Sequence, residues 1–346
     1  MRVFTTILAA ACLVAVSVAD ARAAPPRAAD LSRPDLILAW INTYRAKLDP
    51  QAVPAAVKAL SRLGALRDPE NAGVYVGFVA GVLGANPGKA ASLVERMLPL
   101  PEEDQWFVVR AIAFSGLPGW KDLLRDVADR LPSRRALIGK YVEGAMPTPF
   151  DLARESEPSA AEKVRRYVLR DERRVTTRNW ALDASPELLD AFWGQYFATG
   201  GYGPITRIVA MLPWSKDKDH VEKLMLGAMA KFTLARNASR DTQLLAMLRR
   251  MAPHQDKETA PVLKDVIEAA DMADTARIRS EAMASLENLK RHGPGSRREM
   301  ATWGKVGEGV IGLGCVAAAA TGQVALGLPC VLGGAATSAA VRYLSQ

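Results

Sequence analysis

The sequence is poor in the residues that most often carry chemistry. Histidine occurs three times, at His220, His254 and His292. These fall on different expected helices or their ends, and no HExxH-type spacing links them, so a zinc site has no ligand set. No GxSxG is present, which removes the nucleophile elbow of a hydrolase. Gly84 to Ala90 (GANPGKA) has one residue too few between its glycines for a phosphate loop, and it puts Ala where Ser or Thr would hold magnesium. Neither a catalytic set nor a cofactor is expected, and the chain reads as non-enzymatic. No stretch alternates apolar and polar residues convincingly, so no significant sheet is expected. Cysteine is confined to Cys12, Cys315 and Cys330.

What is present is enough for a folded core. The chain is 49% hydrophobic and 24% charged, which excludes disorder throughout. The formal net charge of +8 is spread along the chain. Interspersed charge of this kind serves solubility, with an anionic partner such as lipid head groups as the second reading. Nucleic acid is not an expected partner.

Residues 1–23 read as a secretory signal. Arg2 supplies the positive start, Val3 to Ala19 is uncharged and apolar, and Ala21-Arg22-Ala23 fits a cleavage site. The expected location is the periplasm, with membrane attachment through the C-terminal segment as the alternative. Cleavage removes Cys12 and leaves Cys315 and Cys330 alone in an oxidising compartment.

Residues 24–34 form a loose leader rich in Ala, Pro and Arg. An N-terminal helical lobe is expected over 35–146. Leu36, Ile37, Trp40, Ile41 and Tyr44 share a helical face, and Ala56 to Leu66 carries another that stops near Gly64. Asp68-Pro69 is a helix-start signal. The helix after it, Glu70 to Gly84, is uncharged beyond Glu70. Gly73, Gly77 and Gly81 line one face of it, which predicts a buried central helix with a close neighbour. Glu102-Glu103-Asp104 reads as a first helical turn after Pro101.

A local pattern recurs at Gly81 to Pro99, Ile112 to Pro132 and Tyr196 to Pro213. Each is the end of an apolar helix, a Gly/Pro turn, a shorter amphipathic helix and Leu-Pro. Two of the Leu-Pro pairs, Leu98-Pro99 and Leu131-Pro132, lie 33 residues apart, a helix-turn-helix repeat spacing. The expected fold is all-α: an α-solenoid-like array of helix pairs with a C-terminal small-residue helical hairpin.

Residues 147–184 form a basic, proline-containing linker. Lys163, Arg165, Arg166, Arg170, Arg173 and Arg174 are its candidates for contact with an anionic surface, against the plainer reading of a solvated helix and loop. A C-terminal lobe follows over 185–292. Ser185-Pro186-Glu187 caps its first helix, on which Leu188, Leu189, Phe192, Trp193 and Tyr196 form a core stripe. Val221 to Leu234, Thr242 to Met251, Ala260 to Ala270 and Ala276 to Leu289 are further amphipathic helices.

The segment WGQYFATGGYGPITRIVAMLPWSKD (Trp193 to Asp217), with AKFTLARNA (Ala230 to Ala238), resembles uncharacterised exported helical-repeat proteins of proteobacteria. The resemblance covers under a third of the chain. It implies a tetratricopeptide-like array and brings no activity and no site residues. Glu155-Ser156 is similar to the acid dipeptide of lytic transglycosylases, but the family's following Gly-Leu-Met-Gln-type segment is missing. Glu155 also falls in the linker, where no packed helix would raise its pKa for acid catalysis.

A basic link over 293–308 leads to an apolar hairpin over 309–346. Gly309 to Val341 is uncharged and rich in Gly and Ala. As one helix it would be roughly 50 Å long, more than the ~30 Å a bilayer core requires. Turning at Gly322-Gln323, it sets Cys315 and Cys330 opposite each other as candidates for a disulfide, against which Pro329 works by delaying the second helix.

The function these features point to is protein–protein interaction in the cell envelope, through the extended surface of a helical array, with an unidentified protein or peptide as partner. The alternative is a membrane-associated or membrane-inserting protein acting through 309–341.

Overall fold

A computed structural model describes residues 30–150, 185–218 and 221–272, together with Arg277, Ile278, Ser280, Glu281 and Ala284. Residues 1–29, with most of the leader, most of the linker, the basic link and the C-terminal hairpin expected from the sequence, lie outside these residues. The described chain is all-α, with helices and 3-10 turns and no strand among the described residues.

The helices are α1 (Pro34–Thr43), α2 (Val53–Arg62), α3 (Gly73–Ala85), α4 (Ala90–Met97), α5 (Gln105–Ala113), α6 (Trp120–Val127) and α7 (Arg135–Val142). After the linker come α8 (Pro186–Thr199), α9 (Tyr202–Ala210), α10 (Val221–Ala238), α11 (Thr242–Met251) and α12 (Thr259–Asp271). Local chemistry sets several of their ends. The Ser185 hydroxyl accepts from the Leu188 amide at the start of α8, and Pro186 occupies its first turn. Gly200, at φ +66°, ends α8 in the left-handed conformation that other residues avoid.

Two expected helix starts are displaced. Asp68-Pro69 opens a 3-10 turn, Pro69–Asn71, and α3 begins only at Gly73. The Asp68 carboxylate accepts from the Asn71 side chain within that turn. Glu102–Asp104 likewise forms a 3-10 turn that runs into α5. Its Asp104 does not face solvent: it is buried and accepts the Ser61 hydroxyl of α2 at 2.5 Å.

Helix α3 is the centre of the molecule. From Gly73 to Leu83 every residue is buried, so no polar face had to be provided for water. Its chief neighbour is α8, which is itself buried from Leu188 to Ala198. The two run parallel: Gly73 abuts Glu187 and Asp190, Gly77 abuts Ala191, and Gly81 abuts Gln195 and Ala198. Gly194 of α8 answers with its own close approach to Val74 and Phe78. The small-residue face therefore serves helix pairing in the interior of a folded domain rather than in a membrane. Among the described residues no helix is long and apolar enough to cross a bilayer.

Helices α1 and α5 share the direction of α3. Trp40 and Tyr44 of the α1 segment pack edge-on to Phe78, with ring centroids 5.4 and 4.9 Å away. Gly84, near the end of α3, abuts the Ser115 carbonyl just beyond the end of α5. Helices α2, α4 and α6 accompany this layer, α2 against α4 and α6 against α5. On the other side of α8 lie α9 and α10, and α12 packs on α10. The Trp193 indole donates to the Thr233 hydroxyl of α10 at 3.1 Å.

The sequence break at the linker is bridged by packing. One hydrophobic core contains Ile37, Phe78 and Phe107 together with Trp193, Leu234 and Leu263. In a one-dimensional stack each repeat touches only its neighbours. Here α8 passes over α4–α7 to rest on α3.

Candidate functional site

The most developed polar arrangement sits at the C-terminal end of α8. Three segments distant in sequence supply it. Arg45 lies in the 3-10 turn Tyr44–Ala46 after α1, Tyr196 is on the last turns of α8, and Asp241 caps α11. The Arg45 guanidinium forms an ion pair with the Asp241 carboxylate and donates to the Tyr196 hydroxyl at 3.0 Å. That hydroxyl donates to Asp241 at 2.8 Å. The guanidinium carbon also lies 4.3 Å from the Tyr196 ring centroid, a cation–π placement. Asp241 still accepts the Gln243 and Leu244 amides, each at 3.0 Å, as the N-cap of α11.

The electrostatics follow from burial and pairing. Burial, with the hydrogen bond to Asp241, pushes the Tyr196 phenol well above its ordinary value. Burial alone would raise Asp241 too. The Arg45 hydrogen bond, the Leu244 amide and the Tyr196 hydroxyl outweigh it and hold the carboxyl below the usual range. At neutral pH the cluster is thus a protonated phenol between a fixed cation and a fixed anion. It offers no poised base. What it does is fasten α1, α8 and α11 together.

A second cluster fastens the other end of α8. Arg110 of α5 forms an ion pair with Glu187. Its guanidinium carbon lies 5.2 Å from the Trp106 ring centroid. Burial raises the phenol of Tyr141 beside it, with Arg110 opposing the shift. A third network ties the C-terminal helices, where Lys231 of α10 meets Asp265 at 2.6 Å and Glu281 at 2.8 Å. Arg277 adds bonds of 3.0 Å to Asp265 and 2.8 Å to Glu281.

No family model, curated protein or solved structure matches the chain.

Of the residues singled out from the sequence, Tyr196 and Glu187 enter these clusters. Cys315 and Cys330, the cations Lys163, Arg165, Arg166, Arg170, Arg173 and Arg174, and Glu155 lie outside the described residues, as do His220 and His292. His254 is exposed at the end of a 3-10 turn after α11. Among the described residues no group of His, Cys, Asp and Glu is placed to hold a metal ion. Conversely, no sequence pattern marks Arg45, Tyr196 and Asp241 as a unit. Asp241 carried a legible signal, an Asp directly before a helical pattern. Its partner Arg45 carried none, because nothing local links positions so far apart.

Proposed function

We propose that the protein is an exported, non-enzymatic scaffold of the periplasm that works by binding another protein. What supports this reading is the packing of α2 on α4, of α4 on α3 and of α6 on α5. A solenoid-like stack over residues 34–142 is part of the proposal, and such stacks present long surfaces for recognition. The sequence of residues 1–23 supports export.

The inner face of such a stack is its usual binding surface, but here α8 lies on it. Gly73, Gly77 and Gly81 sit there directly against Asp190, Ala191 and Ala198, and α8 is buried from Leu188 to Ala198, so it acts as core and not as a removable plug. The surface left for a partner is the outer one, along α4 and α6. It carries exposed, oppositely charged side chains, among them Arg96, Glu95 and Arg130.

Crosslinking in cells, followed by identification of the captured protein, tests the reading. The expected result is one reproducible partner, lost on Arg96→Glu with Arg130→Glu. Catalytic turnover by the purified protein, or the absence of any specific crosslink, overturns it.

A further inference from the structure

We draw no further inference here: the strongest candidate, the buried Ser61–Asp104 side-chain cluster between α2 and the 3-10 turn before α5, leaves one Asp104 carboxylate oxygen without a hydrogen-bond partner among the described residues, but it joins two parts of the core and nothing in the structure shows a ligand which that oxygen would meet.

Discussion

Gly77 of α3 and Ala191 of α8 meet backbone to backbone. A side chain on Gly77 would occupy the space of the Ala191 carbonyl, with no flexible group between them to move aside. Parallel helices this close gain dispersion along their length and bring Cα–H groups near facing carbonyls. The contact lies within the buried stretches of both helices, so any separation there opens the core on both sides.

Gly77→Ala is accordingly expected to destabilise the fold by about 2–3 kcal/mol, as overpacking does. In an unconstrained helix the same change favours folding by about 1 kcal/mol, so the sign itself reports the contact. Gly88→Ala, where nothing lies within 4 Å, should shift stability by less than about 0.5 kcal/mol. Urea midpoints of the two variants against the parent decide the matter.

The Arg45–Asp241 pair gives a second expectation. Removing either partner strands the other charge in a largely buried site, and Arg45→Met or Asp241→Asn should each destabilise by about 1–3 kcal/mol. The double variant should fall well short of the sum of the two. A double-mutant cycle that comes out additive would show that the pair does not couple the segments.

The same carboxylate predicts an acid response. Asp241 is depressed in the folded state, so the unfolded state takes up the proton first as pH falls. The stabilisation it brings is complete above the unfolded value near 4 and is lost as pH drops through its lower folded value. Asp265, depressed against its burial by Lys231 and Arg277, adds to the effect in the same window. Thermal midpoints measured from pH 7 to pH 2.5 should fall below about pH 4. Asp241→Asn should flatten that fall while lowering the plateau.

Lys231 provides a fourth. Its side chain is 11% exposed, and its ammonium is held by Asp265 and Glu281. Lys231→Met keeps the stem's packing and removes the charge, leaving Arg277 to serve both acids. The expected loss is about 1–2 kcal/mol in urea unfolding, more than the sub-kcal/mol value of a solvent-exposed pair. A loss below about 0.3 kcal/mol would mean that Arg277 alone neutralises the site.

The glycine face of α3 was legible before the fold was known, because a four-residue glycine repeat on an uncharged helix has one economical use. The aromatic stripe of α8 was legible as core for a similar reason. That these two features belong together was not. The Gly face does not encode which helix it accepts, and Leu188 to Ala198 does not encode which helix it covers. The polar cluster divides in the same way: the cap at Asp241 is local and readable, whereas its bond to Arg45 exists only once α1 and α8 lie side by side.

The sequence by itself determined the helical class, the sites of most turns, and the need for one helix to be buried on every side. These follow from periodicity, Gly and Pro, and the absence of charge, all of which act within a few residues. Only the tertiary structure decided that α8 returns past α4–α7 to lie parallel on α3, and that Arg45 and Asp241 meet at its C-terminal end. Those outcomes depend on the shape and volume with which distant surfaces fit, which no short window of the chain contains.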